Sequence, residues 1–416
     1  MFNLGEISMK KTLIALAALG AMAGVAHAQS TVTLYGLLDA NLQSYKGNFV
    51  GTGTLANTLQ SVRQTRIESG GLNGSRWGMR ISEDIGGGMA VVGNLESGIG
   101  IDTGVGQGNL FGRRANVGIS SSSFGTLVVG RNSSSYDDVS ADHTMMAATL
   151  FDPSNNNNGR SADVMAGLGA PATQLAVASG LLGNRPFSNN TTWIGFNTRF
   201  NNSVKYTTPN FSGFTASAMY AFGEDKQINP DVNATRTVSA NLKYANGPLL
   251  VSGGYQSEGA GGSTSAVGLP VAAGGATTAA KPALQNTLLS VAYDFGVVKV
   301  GAGFNRAKYK DVVLGAGSLL GAGEIAAQKE VSLSVSVPLG ATTLSAGVAR
   351  SKGDTLGKST GFGIQALYSL SKRSTLYAGA ATTKGYDKLA DAIERFSPAS
   401  NIQKTTTYGL GLRHTF

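Results

Sequence analysis

From Val331 to Val337 the chain alternates without a break: Val331, Leu333, Val335 and Val337 are apolar, and Ser332, Ser334 and Ser336 are small and polar. Successive side chains of a β-strand point to opposite faces, so this segment has one greasy face and one wet face. The same rule organises segments far apart in the sequence. Val238, Ala240, Leu242 and Tyr244 oppose Thr237, Ser239, Asn241 and Lys243. Val298, Val300, Ala302 and Phe304 oppose Lys299, Gly301, Gly303 and Asn305, and Phe214, Ala216, Ala218 and Tyr220 oppose Thr215, Ser217 and Met219. At the C-terminus Tyr408, Leu410, Leu412, His414 and Phe416 share one face, opposite Gly409, Gly411, Arg413 and Thr415. Strands of this kind fit a sheet lying between lipid and water. In hydrocarbon such a sheet must close on itself, because an open edge leaves backbone N–H and C=O groups unpaired. The pattern therefore predicts an all-β fold, a transmembrane antiparallel β-barrel. Tyr206, Tyr220, Tyr244, Tyr293, Tyr368 and Tyr408 end apolar faces and are expected in its interfacial aromatic girdles.

The connections alternate in length. Glu83–Gly88, Pro209–Gly213, Asn246–Pro248 and Leu370–Arg373 read as tight turns, whereas 43–70, 133–190, 256–284, 310–326 and 384–401 read as long loops. Short turns at one rim and long loops at the other predict periplasmic turns and external loops. At roughly 24 residues per strand and connection, the chain holds about sixteen strands. Segment 133–190 is too long for a plain hairpin connection, so it reads either as a functional segment or as another solvated external loop.

The N-terminus supplies an address. Met9-Lys10-Lys11, the apolar run Leu13 to Val25 and Ala26-His27-Ala28 have the layout of a cleaved signal peptide over residues 1–28. The barrel domain is then expected to occupy 29–416, with Met1 and Met9 both open as the start. The net charge of +9 includes no long Lys/Arg run, so an exported chain of this kind points to anionic solutes and not to nucleic acid. With no cysteine there is neither a disulfide framework nor a thiolate metal site or nucleophile. Beyond residue 28 the only histidines are His143 and His414, and neither accompanies a serine motif, so no enzymatic activity, cofactor or metal is expected.

Several motifs, taken in order, carry a family resemblance. They include Val32-Thr33-Leu34-Tyr35-Gly36-Leu37-Leu38-Asp39, Gly74-Ser75-Arg76-Trp77-Gly78-Met79-Arg80 and Leu95-Glu96-Ser97-Gly98. Leu110-Phe111-Gly112-Arg113, Asn202-Ser203-Val204-Lys205-Tyr206, Pro209-Asn210-Phe211-Ser212-Gly213-Phe214 and Gly411-Leu412-Arg413-His414 with Phe416 follow. Together they resemble the general diffusion porins of β-proteobacteria, the Burkholderia and Neisseria type. The resemblance implies a homotrimer of sixteen-stranded barrels in the outer membrane, among lipid and lipopolysaccharide. It implies that the third external loop, here 133–190, folds into each pore as a constriction-loop region, and that the terminal Phe416 is read by the barrel-assembly machinery. It also implies passage of small hydrophilic solutes and ions with a preference for anions, the alternative being a substrate-specific channel for sugars or anions.

By the same resemblance, an arginine ladder at the constriction maps onto Arg76, Arg113 and Arg199, facing acidic groups of the inserted loop, for which Asp137 and Asp152 are the candidates. Arginine suits this place because it stays ionised and its planar fork holds geometry. Strand parity turns Arg76, Arg80, Arg199 and Lys205 inward. It groups Arg113 with outward Val117 and Ile119 and puts Arg114 inside, so either a bulge re-aims Arg113 or Arg114 takes its role.

Overall fold

The computed structural model of this chain describes residues 30–50, 59–106, 109–146, 149–154, 192–223, 236–259, 283–310, 313–314, 323–388 and 404–416. The signal-peptide expectation for residues 1–28 lies outside them. Sixteen antiparallel strands make one sheet. They are β1 (Thr31–Val50), β2 (in two segments, Leu59–Ser69 and Arg76–Gly86), β3 (Met89–Gly98), β4 (Arg114–Ser121), β5 (Gly125–Ser133), β6 (Arg199–Thr207), β7 (Phe214–Phe222) and β8 (Arg236–Asn246). They continue with β9 (Leu249–Gly259), β10 (Ala283–Asp294), β11 (Lys299–Lys310), β12 (Gln328–Leu339), β13 (Thr342–Gly353), β14 (Gly357–Ser369), β15 (Ser374–Lys384) and β16 (Lys404–Thr415). Each strand pairs with the next. Strand β1 also pairs with β16, from Leu37 opposite Thr415 to Lys46 opposite Thr406, and this ladder closes the barrel. The small pair Val313–Leu314 and Gly323–Glu324 stands apart in the connection between β11 and β12.

Closure has the physical consequence the alternation demanded. Leu289 is 62% exposed and its neighbour Leu288 1%, so odd positions of β10 face outward and even ones inward. The outer surface carries Val331, Leu333, Val348, Phe362, Leu410 and Leu412, while Ser239, Asn286, Asn305, Ser334 and Gln365 are turned inside and buried. Phe416 completes the seam: it exchanges both backbone hydrogen bonds with Gly36 at 3.0 Å, and its ring covers that glycine. A Cβ on Gly36 would lie 2.7 Å from Phe416 Cε1, so the residue opposite the terminal ring has to be this small.

Both ends of the barrel sheet share a rim with the short connections at 87–88, 122–124, 208–213, 247–248, 295–298, 340–341 and 370–373. The opposite rim carries the longer ones, including 99–113 and 223–235, which alternation did not single out, together with one short connection at 354–356. There β1 and β2 run to Val50 and from Leu59, deep into a segment expected to be loop. The backbone ladder continues there although the period-two signal by which sequence shows a strand has vanished.

Strand β2 is broken at 70–75, with both halves still paired to β1. Asp39, on β1 opposite the gap, holds the break together. Its Oδ1 accepts the Gly71 N–H at 3.1 Å, and its Oδ2 accepts those of Leu72 and Asn73 at 2.7 Å each. The Tyr377 hydroxyl donates to the same carboxylate from β15. Charge-assisted bonds to three consecutive amides replace the ladder bonds that the interruption removes.

Candidate functional site

The connection between β5 and β6 turns into the barrel. Its described parts, 134–146, 149–154 and 192–198, run along the inner wall and bond to inward-facing residues of one strand after another. The Tyr136 N–H donates to Ser239 Oγ at 2.7 Å and its hydroxyl to Asn305 Oδ1 at 3.1 Å. Met145 N–H donates to Ser334 Oγ at 2.8 Å, and Thr149 Oγ1 to Gln365 Oε1 at 2.7 Å. At its far point, Leu150 N–H reaches the carbonyl of Gly71 in the β2 break at 2.9 Å. There Leu72, Met146, Leu150, Phe151 and Tyr377 form one apolar cluster inside the lumen. On the way back, Ile194 N–H donates to Glu330 Oε1 at 2.6 Å and Asn197 N–H to Glu258 Oε1 at 2.8 Å.

Wall glycines make room for this path. A Cβ on Gly303 would fall 2.6 Å from His143 Cβ, one on Gly301 2.6 Å from the His143 carbonyl oxygen, and one on Gly379 2.6 Å from the Phe151 ring. Side chains at those positions would push the loop off the wall. Gly301 and Gly303 were legible in the sequence as inward glycines. Nothing in one sequence said what would fill the space.

The loop coats the arc from β7 to β16 and leaves the wall of β2 to β4 to charged groups. Glu96 on β3, nearly buried, is their centre. Arg113 Nε donates to Glu96 Oε1 at 2.6 Å, Arg76 Nε lies 3.9 Å from Oε2, and the Tyr35 hydroxyl donates to Oε2 at 2.8 Å. Arg80 stacks its guanidinium 4.2 Å over the Tyr35 ring. Arg114 stands directly opposite Glu96 in the β3–β4 ladder and so shares its inward face. Arg113 precedes that ladder, so alternation does not govern it: its N–H donates to the Glu96 carbonyl at 3.1 Å, after Phe111 at φ 55°. Both arginines thus face the interior.

Arg199 opens β6 opposite Ser133 and donates to Thr198 Oγ1 at 3.0 Å. It lies within electrostatic reach of Arg113, Arg114, Glu96 and Asp137. Burial pushes the Asp137 carboxyl up to about 6, while the Arg199 charge pulls the other way. Asp152 does not join the group. It is buried farther round the loop, with Oδ1 accepting the N–H and the hydroxyl of Ser154 at 2.9 and 2.7 Å. The neighbouring loop acids are paired instead: Asp138 with Lys205 at 2.6 Å and Asp142 with Lys243 at 3.1 Å. His143, stacked on Trp193 with ring centroids 4.6 Å apart, is held below its usual pKa by burial and so stays neutral near pH 7.

Arg76, Arg113, Arg114 and Arg199 therefore gather around Glu96 on one side of the lumen, and the loop, bearing Asp137 within reach of Arg199, narrows it. Such an arrangement sets a transverse field across a wet passage, with cations in excess. Glu96 was visible as part of a motif but carries no sequence mark of its role. Its position becomes informative only when the β3–β4 register sets it against Arg114.

The sequence profile of the family described as Gram-negative porin matches residues 15–388. An outer membrane porin protein of Bordetella pertussis is 29% identical over 98% of this chain and all of that protein. Outer membrane porin protein 32 of Delftia acidovorans is 30% identical over 73% of this chain and 71% of its own length. Among solved structures, an anion-selective porin from Comamonas acidovorans superposes with a TM-score of 0.66 at 24% identity, covering 93% of this chain and 100% of that one. The trimer form of OmpT from Vibrio cholerae gives 0.53 at 16% identity, covering 93% and 99%.

Proposed function

The chain belongs to the Gram-negative porin family, and on that premise we propose that it forms a passive, anion-preferring pore for small hydrophilic solutes and ions in the outer membrane. Porins are channels, and nothing in this mechanism requires a bond to be made or broken. What acts is the height of a free-energy barrier at the narrowest wet section. The reading rests chiefly on one observation, the cluster of Arg76, Arg113, Arg114 and Arg199 around the single carboxylate of Glu96, on the wall that the inserted loop leaves bare.

Each residue of that cluster has a part. Arg113 and Arg76 hold Glu96 between them, and Tyr35 donates to it from below, so the carboxylate fixes the spacing of the two guanidinium groups. Arg114 and Arg199 add charge without a carboxylate of their own in the described residues. Asp137 sets the opposing, titratable charge on the loop. An anion crossing this section meets a net positive potential while a cation is repelled, and a dipolar solute turns to align with the field. Residues 1–28 are removed on export, the mature barrel assembles as a homotrimer, and Phe416 is the assembly signal.

Conductance and liposome swelling with neutral sugars of graded size test the general-pore reading. A current linear in salt, and swelling rates that fall smoothly with solute size, are expected. Saturation of the current by one sugar or one anion would establish the substrate-specific channel in its place.

A further inference from the structure

Asp39 is fully buried on the inner face of β1, yet it spends every polar group it has on one short piece of chain. Its carbonyl accepts the Gly70 N–H at 2.7 Å and the Ser75 hydroxyl at 3.1 Å, and its own N–H donates to Ser75 Oγ at 2.9 Å. Its carboxylate takes the N–H groups of Gly71, Leu72 and Asn73. Tyr377 braces that carboxylate from β15, and Arg413, opposite Asp39 in the β1–β16 ladder, donates to Asn73 Oδ1 at 3.0 Å. The stretch 70–75 is thus tied to one acid from its first residue to its last.

The end of that stretch is where two arginines rest. Arg76 follows Ser75 directly, and its Nη1 donates to the Gly74 carbonyl at 3.3 Å. Arg113 comes in over the same residue: a Cβ on Gly74 would lie 3.4 Å from Arg113 Nη1. Both guanidinium groups therefore lie against Gly74 while they share Glu96. A carboxylate between two guanidinium groups sets their separation, whereas the backbone beneath them sets where the pair stands. Asp39 itself meets no passing ion, because its side chain is covered on every side. We infer that Asp39 is a positioning residue for ion selectivity, a buried acid that holds 70–75 so that Gly74 presents Arg76 and Arg113 to the lumen. The inference rests on the arginine wall proposed above. It gives a negative residue a part in passing anions, which its charge taken alone would oppose.

The test uses the full pore in a neutral planar bilayer, with the ratio of chloride to potassium permeability read from reversal potentials in a KCl gradient. Asp39→Glu keeps the charge but adds a methylene to a site with no spare room, so 70–75 must move. With both guanidinium groups about 2 Å farther from an ion that passed at about 6 Å, the screened interaction of each falls by about 40%. The ratio should then fall about two- to sixfold. Asp39→Asn turns an NH2 group toward N–H donors and should also lower the ratio, by less, since the lost negative charge works the other way. In an Arg76→Gln background the effect of Asp39→Glu should shrink by about half, because one of the two groups it places has gone. Should both Asp39 variants fail to fold, Tyr377→Phe takes one donor from the carboxylate and should give a smaller fall of the same sign. A parental ratio in Asp39→Glu with a lowered unfolding temperature would make the residue structural only. A raised ratio in Asp39→Asn would make it a charge only. An undiminished effect in the Arg76→Gln background would place its action at the loop tip, where Leu150 meets Gly71. Each of these overturns the inference. Potassium polarity in the unmodified protein would instead overturn the pore reading, so the two failures are distinguishable.

Discussion

Replacing Arg76 by Gln removes one positive charge from the constriction with little other disturbance. Its Nε is 3.9 Å from Glu96, whereas Arg113 at 2.6 Å and Tyr35 at 2.8 Å keep the carboxylate in place. For an ion passing about 6 Å from the guanidinium, the lost interaction is about 0.7 kcal/mol in water, and about 0.4 kcal/mol after screening at 0.1 M salt. An anion then loses a factor of about 2 to 3 in local concentration and a cation gains as much. The ratio of chloride to potassium permeability should therefore fall roughly three- to tenfold. Reversal potentials of single pores across a tenfold KCl gradient in a neutral bilayer measure it directly. Lys329→Gln, exposed on the outer face of β12 with Val331 and Leu333, serves as the control. A permeability ratio unchanged in Arg76→Gln would remove Arg76 from the constriction and refute the reasoning from the Glu96 cluster.

Other outcomes follow from the same geometry. Asp137, with its carboxyl pushed up to about 6 by burial, is ionised above that pH and neutral below it. Anion preference should therefore rise as pH falls from 7 to 5, and Asp137→Asn should show the acidic value at both. A reversal potential that moves with pH in Asp137→Asn as it does in the parent would assign the titration elsewhere. Gly303→Val sets a side chain where His143 already lies, so the loop must lift. Wider, noisier conductance is expected, with a stability loss of about 1–3 kcal/mol by thermal unfolding in detergent; parental conductance would show that the loop does not rest on that wall. Asp39→Ala leaves three amides of the β2 break without their acceptor. It should cost several kcal/mol, seen as a lower unfolding temperature and faster proteolysis near 70–75. Removing Phe416 strips the seam of its terminal pair with Gly36, and should reduce the folded, heat-modifiable fraction recovered in membranes.

Much of the barrel was legible because one physical constraint repeats along the chain. Val331 to Val337 alternate because each strand separates lipid from water, and the same holds for 238–244 and 298–304. The signal fails where that constraint lapses. Strands β1 and β2 stay paired up to Val50 and from Leu59 where the sequence no longer alternates, so these residues look like loop and are strand. Arg113 misled parity because it precedes the first ladder pair of β4, where a residue's direction is set by a local turn and by Glu96. The break in β2 depends on Asp39 and Tyr377, 338 residues apart, and no local pattern contains it. The loop acids look alike in sequence. Only the register of β6 and β8 reveals that Lys205 and Lys243 neutralise Asp138 and Asp142, while Asp137 is left beside Arg199 and Asp152 is spent on Ser154.

The sign of the zero-current potential of the unmodified protein bears most directly on all of this. In a neutral planar bilayer at pH 7, with KCl tenfold more concentrated on one side, an ideally selective pore gives about 59 mV. The arginine wall predicts a potential of the polarity set by chloride, smaller than that limit and shrinking as salt rises. A potential of potassium polarity would contradict the account at its centre.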